Sequence, residues 1–283
     1  MAHLGKLAGA LALTLAATLP VAAPAQAAPK TSDNKIQVIQ HNTDAQGPGP
    51  AIAAAADWGG VDAITYQELC KKQVAEVQAA GYTVHWAQHR DRTENSCRKG
   101  VAIASTHRFA NTDTYGVGAF GRGKKQRTIK LACVDLSGTG VARTTVCTTH
   151  FPLDYNGKAA PSGLQNRVKV ADRIRAIVNR KIAAGRRVVL TGDFNSKPKT
   201  APLTRFYQAH GNGRFWEGDQ RCGKSSVCRD MKPTTSSGGR LDYVFASSPG
   251  VNRLNGVSKL AVKKYDRSGH FVIRGSVTFG PLR

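Results

Sequence analysis

Several short stretches of the chain place acids, amides or imidazoles where an apolar run stops. Gly192-Asp193-Phe194-Asn195 directly follows Val188-Val189-Leu190, so a carboxylate and an amide emerge together at the carboxyl end of a buried-type strand, where open α/β sheets bind ligands. There Asp193 can bind a hard oxygen-seeking cation or align water while Asn195 hydrogen-bonds a phosphoryl oxygen. Taken alone, the same pair also makes an ordinary Asp/Asn turn. The pattern recurs. Asn42 ends a first alternating run, Gln67-Glu68 ends a second, His150 ends a third, His270 opens the last, and Asp242 sits inside the apolar Leu241-Asp242-Tyr243-Val244-Phe245. Each has a plain local reading: Asn42 as a turn cap, Glu68 as a helix cap, His150 and His270 as ordinary polar residues, Asp242 as a loop anchor. Together they supply metal ligands, an acid/base imidazole and an orienting carboxylate, the set that phosphodiester hydrolysis requires.

The elements that must position these residues follow from periodicity. Strands are expected over Ile36 to His41, Val61 to Gln67, Tyr82 to Gln88, Val101 to Ser105, Arg127 to Leu136, Val141 to His150, Arg186 to Thr191, Leu241 to Ala246 and Phe271 to Phe279. Short helices are expected over Ala51 to Asp57, Leu69 to Ala80 and Pro202 to His210. A long one runs from Leu164 to Ala184, where Leu164, Val168, Ala171, Ile174, Ile177, Val178 and Ile182 recur at helical steps before Gly185. A meander of strands with a helix, repeated, implies an α/β sandwich of two facing sheets with helices outside.

Read in order, Asn42, Gln67-Glu68, Thr149-His150, Gly192-Asp193-Phe194-Asn195, Leu241-Asp242-Tyr243 and Ser268-Gly269-His270 resemble the motifs of the endonuclease/exonuclease/phosphatase superfamily, which includes DNase I. The resemblance spans residues 36 to 279 and implies a four-layer α/β/β/α sandwich, DNase I-like, with cleavage assisted by Mg2+ or Mn2+, Ca2+ being a further option. It assigns Glu68 as the main metal ligand, with Asn42 contacting metal or phosphate. Asp193 and Asn195 position phosphate and water, Asp242 holds His270 as general base or transition-state donor, and His150 faces the phosphate. In the DNase I branch a glutamate on a neighbouring strand supports that imidazole, and Arg98-Lys99-Gly100-Val101 offers no carboxylate here. The family also places an aspartate before its last histidine, as a metal ligand, where this chain has Gly269. Asp266 or water takes that place, or the metal is held weakly.

Residues 1–27 read as a secretory signal: Lys6, an apolar run from Leu7 to Leu19, and small residues at Ala25-Gln26-Ala27. Residues 28–283 are then expected to form one exported catalytic domain, monomeric and without stable membrane insertion, since no later run approaches about 20 apolar residues. The mature chain keeps all six cysteines, Cys70, Cys97, Cys133, Cys147, Cys222 and Cys228, as suits disulfides. Cys133 with Cys147 would bridge a hairpin, Cys222 with Cys228 would close a small loop, and Cys70 is left with Cys97. No short-spaced Cys/His quartet points to zinc. Lys and Arg number 41 against 18 Asp and Glu, a net charge of +23, which draws polyanions. The basic Arg122-Gly123-Lys124-Lys125-Gln126-Arg127 could follow a phosphate backbone. A nuclease of low sequence specificity, with nucleic acid as substrate, is therefore expected. The alternatives are a sphingomyelinase-like lipid phosphodiesterase, for which Phe215-Trp216 is the suggestive membrane-contacting pair, and a nucleic-acid-binding protein with impaired catalysis.

Overall fold

The computed structural model describes residues 34–89, 97–120, 127–138, 140–153, 161–208, 211–218, 232–248, 251–259 and 268–280. The signal-like leader, Arg122–Gln126, Cys222, Cys228 and Asp266 lie outside them. In chain order the elements are β1 (Lys35–Asn42), α1 (Gly49–Asp57), β2 (Ala63–Cys70), α2 (Val74–Ala79), β3 (Thr83–Gln88), β4 (Lys99–Ser105), β5 (Arg108–Phe120), β6 (Arg127–Ser137), β7 (Thr144–His150), α3 (Pro161–Ala183), β8 (Arg187–Asp193), α4 (Ala201–Thr204), β9 (Phe215–Glu217), β10 (Asp242–Ser247), β11 (Val251–Lys259) and β12 (Ile273–Phe279).

Two six-stranded sheets result, in the orders β11-β12-β1-β2-β4-β3 and β5-β6-β7-β8-β10-β9. Strand β8 shows why they stack. All seven of its residues are buried, as an apolar strand covered on both faces should be. Val189 points into the core between the sheets with Ile36, Val38, Val134 and Val244, whereas its neighbours Val188 and Leu190 point outward beneath Val170, Ala171, Ile174 and Val178 of α3. The other sheet packs its outer face, through Ile39, Ile64 and Tyr66, against Ala51, Ala54 and Val77 of α1 and α2. Side chains alternate faces along each strand, so each sheet feeds one shared and one outer core. The expected DNase I-like four-layer sandwich is the observed architecture. Among the described residues no helix is long and apolar enough to cross a membrane.

Several local expectations are corrected. The helix expected from Leu69 begins only at Val74, because β2 continues through a bulge and pairs Leu69 with Gly100 and Cys70 with Lys99. Strand β5 is long and was not expected; it edges its sheet and is largely exposed or half-buried, so no apolar alternation marks it. Strand β11 falls in a stretch that was assigned no element. Strand β7 starts at Thr144, since Val141 belongs to the preceding turn, where it accepts a backbone bond from Thr144. The helix expected over Pro202 to His210 is one turn, because Gln208 donates to the Phe215 carbonyl and the chain turns into β9. Phe215 and Trp216 are buried within β9, and so offer no membrane contact. Two cysteine pairings are as expected: Cys133–Cys147, direct register partners on β6 and β7, and Cys70–Cys97.

Candidate active site

Each sheet contains one parallel pair. β1 and β2 place Asn42 beside Gln67, and β7 and β8 place His150 beside Asp193. The carboxyl ends of both pairs gather at one edge of the sandwich. β10 runs antiparallel to β8 and begins there, with Asp242 opposite Asp193. The Asn42 Nδ2 donates to Asp193 Oδ2 at 2.9 Å, joining the two sheets. The backbone N of Asn195 donates to Asp193 Oδ1 at 2.8 Å. Gly192 lets β8 lie close against β7 just before Asp193: a Cβ there would lie 2.3 Å from the Thr149 carbonyl oxygen.

The seven side chains named from the sequence converge here. His150 Nε2 lies 3.1 Å from Asn195 Nδ2, 3.6 Å from Asp193 Oδ2 and 3.9 Å from Glu68 Oε1. His270 Nδ1 lies 3.0 Å and 3.2 Å from the two Asp242 oxygens, and its Nε2 is 3.8 Å from Asp193 Oδ2. Asp193 and Asp242 are buried, and the imidazoles half-buried. Glu68 and Asn195 hold φ of 55° and 44°, a left-handed conformation that costs a non-glycine residue about 1 kcal/mol and marks functional sites when tertiary contacts impose it.

Protonation follows from these neighbours. Burial alone would lower the His270 pKa, but the Asp242 and Asp193 carboxylates outweigh it and push the group up to about 9, so the imidazole is charged at neutral pH. Burial, then repulsion from Asp242, raises Asp193 against the pull of both imidazoles. For Glu68, burial pushes up but His150 and Lys99 prevail and bring it down to about 2.

Sequence reasoning missed four supports. Thr234 Oγ1 donates to Asp242 Oδ2 at 2.7 Å, and Gln40 Nε2 donates to Oδ1 at 3.1 Å, so both oxygens are fixed toward His270. His89 packs edge-on to His150 with ring centroids 6.0 Å apart. Its Nδ1–H donates to the Thr128 carbonyl at 3.2 Å, and burial with repulsion from His150 lowers its pKa to about 4, leaving it neutral. Lys99 reaches Glu68 Oε2 at 2.5 Å. Only that last residue left a trace in the sequence, as the cation where an acid was expected.

Oxygen donors for a hard cation are present in two places. Asp193, Asp242 and His270 bring ligand atoms within 4.8 Å of one another, but the Asp242 oxygens and both Asp193 oxygens are already taken by hydrogen-bond donors. The Glu68 carboxylate is hydrogen-bonded by the Asn42 amide and has Oε1 3.9 Å from His150 Nε2, and this pair suits a divalent cation that takes its remaining ligands from outside the chain.

The chain belongs to the endonuclease/exonuclease/phosphatase family, whose model matches residues 29–262. Members of that family are phosphoester hydrolases and generally use divalent metal ions. Among solved structures, the human Nocturnin catalytic domain with bound sulfate anion is 15% identical, covers 87% of this chain and 94% of its own, and superposes with a TM-score of 0.64. A mannosyl-6-phosphatase of Bacteroides thetaiotaomicron VPI-5482 is 17% identical over 86% of this chain and 100% of its own, with a TM-score of 0.58. TDP2 from C. elegans is 14% identical over 86% and 75%, also with a TM-score of 0.58. At such identities the likeness speaks for the fold. A search of curated proteins found no match.

Proposed function

We propose that this protein is a secreted, metal-dependent phosphodiesterase that hydrolyses nucleic acid with little sequence preference. The observation that carries the reading is Asp193, whose Oδ2 has both imidazoles within 3.8 Å and is fixed by Asn42. Asp193, with its raised pKa, takes the proton of an attacking water. His270, charged and held by Asp242, donates a hydrogen bond to a phosphoryl oxygen as negative charge builds. Asn195 and His150 orient the same phosphate from the other side. Glu68 and Asn42 would hold the cation, which would supply polarisation of the phosphoryl oxygen and offset its charge.

Nucleic acid fits the net charge of +23. Export of residues 28–283 as one domain fits the two disulfides among the described residues, bonds that persist in oxidising compartments. The test is hydrolysis of plasmid DNA, RNA, sphingomyelin and inositol phosphates by purified protein, each with magnesium, manganese, calcium or a chelator. Cutting of nucleic acid that chelator abolishes and that weakens steeply with salt is expected. Turnover of only sphingomyelin or inositol phosphates would overturn the nucleic-acid assignment, and binding of DNA without cutting would overturn catalysis.

A further inference from the structure

Lys99 stands at the start of β4, in register with Cys70 and two residues beyond Cys97, so the Cys70–Cys97 disulfide ties the segment just before it to the strand it pairs with. Its ammonium lies 2.5 Å from Glu68 Oε2 and 3.3 Å from Asp44 Oδ1. Glu68 occupies a bulge at φ 55°, with Leu69 and Cys70 re-paired immediately after it, which leaves its carboxylate little freedom to turn away. The pair is sheltered, with side-chain exposures of 25% and 19%, so solvent screens it less than a surface ion pair. Asp44 is 53% exposed and gives the lysine a second anchor toward solvent.

We propose that Lys99 is a resident counter-ion of Glu68, and that a divalent cation binds at this carboxylate only in competition with the ammonium. The inference rests on the reading of Glu68 as a metal ligand. A carboxylate oxygen within hydrogen-bond distance of an ammonium has its charge already neutralised, and a divalent cation placed beside that ammonium meets repulsion across a poorly screened gap. Lysine suits such exchange, because its flexible stem lets the head group leave one acceptor while keeping the other. Gly269 sharpens the effect: with no carboxylate at that position, one anion fewer is available to outbid the lysine. The metal-free site is thereby kept neutral and ordered, and its affinity for cations is set by a residue that is not itself a ligand.

The experiment measures Mn2+ alone, as the free-ion signal in electron paramagnetic resonance, against chelator-stripped protein. Wild type, Lys99→Met and Lys99→Gln are compared, each with and without Glu68→Gln. The glutamine variant retains a hydrogen-bond donor for Glu68 and serves if the methionine variant does not fold. Both neutral variants are expected to bind Mn2+ at least about tenfold more tightly than wild type, and Glu68→Gln to abolish that gain. Unchanged or weaker binding in the neutral variants, with Glu68→Gln still removing the site, overturns competition by Lys99 while leaving Glu68 a ligand. Mn2+ binding that is indifferent to Glu68→Gln in every background overturns both.

Discussion

Asp193 and Asp242 are direct cross-strand partners on β8 and β10, and their carboxyl groups share one face of the sheet with the His270 ring between them. Two carboxylates so placed cannot both ionise cheaply in a dry site, and a cation between them relieves the conflict. His270 is that cation: pushed up to about 9, it is paired closely with Asp242 and more loosely with Asp193. The consequence is a division of labour. Asp242, saturated by Thr234, Gln40 and His270, positions. Asp193, with its raised pKa, is the member left to accept a proton on the proposed reading.

Asp242→Asn keeps the shape of this arrangement and removes the charge. The His270 pKa is expected to fall from about 9 toward the ordinary histidine range, as read from imidazole resonances in NMR. A histidine whose folded pKa is raised contributes fully below its unfolded pKa of about 6.5 and loses that contribution as pH rises through about 9. Wild type should therefore lose stability between roughly pH 7 and 9.5, and the variant should lose less. An unmoved His270 titration in a folded Asp242→Asn protein would mean that Asp242 is not what holds the proton.

Asp193→Ala and His270→Ala should each lower turnover at least about 100-fold in protein that still folds, because each removes a group used mainly in the transition state, and His270→Ala should also lose the stability that its pairing with Asp242 supplies at neutral pH. Single-turnover kinetics at saturating metal check this. Near-normal rates in either would take that residue out of the chemistry.

His89 makes a separate acid-side prediction. Its folded pKa of about 4 lies below that of a free histidine, so its contribution is present above about pH 6.5 and is lost as pH falls toward 4, at up to about 1.4 kcal/mol per unit. Glu68, brought down to about 2, begins to lose its own contribution only as pH falls into the ordinary carboxylate range, and Asp193, which is raised, acts in the opposite sense, so the His89 share of the window from about pH 6.5 to 4.5 is the difference between wild type and variant. His85, lowered by burial, contributes a smaller share. Denaturant unfolding across that window should give a shallower slope for His89→Gln than for wild type. Parallel slopes would show that His89 stays uncharged at no cost, or titrates normally.

How much of this was legible in the chain depended on whether a residue's neighbours along the sequence resembled its neighbours in space. Strand β8 was legible because both its faces are buried, and Asp193-Phe194-Asn195 stood out at its end. The Cys133–Cys147 bridge was legible because a hairpin makes near neighbours in sequence near neighbours in space. Strand β5 was not, since an edge strand needs no apolar code. Glu68 stood out as a candidate ligand but was assigned to a helix start, because the pairing that draws Leu69 and Cys70 into β2 comes from β4, some 30 residues away. His89, Gln40 and Thr234 reach the site from polar positions with no motif, brought there by the tertiary fold alone.

Gly269 stands where the family pattern has a carboxylate. Gly269 holds φ 79°, its carbonyl accepts a bond from the Ser236 backbone N at 2.8 Å, and it leads directly into His270. A Cβ there would meet only Ser236 Oγ, at 3.5 Å, which is ordinary contact. Space is therefore not the obstacle; the left-handed backbone is, and aspartate tolerates it better than most residues, at about 1 kcal/mol. Gly269→Asp should fold with that modest loss and require less metal for half-maximal activity, since it returns an anionic ligand. Gly269→Ala is the control, bearing similar backbone strain without a carboxylate, and should leave the metal requirement where it was. Unfolding midpoints report the strain and metal titrations report the ligand. An equal metal requirement for the aspartate and alanine variants, both folded, would show that this position does not address the metal in this protein, and that cation affinity is governed from the Glu68 side.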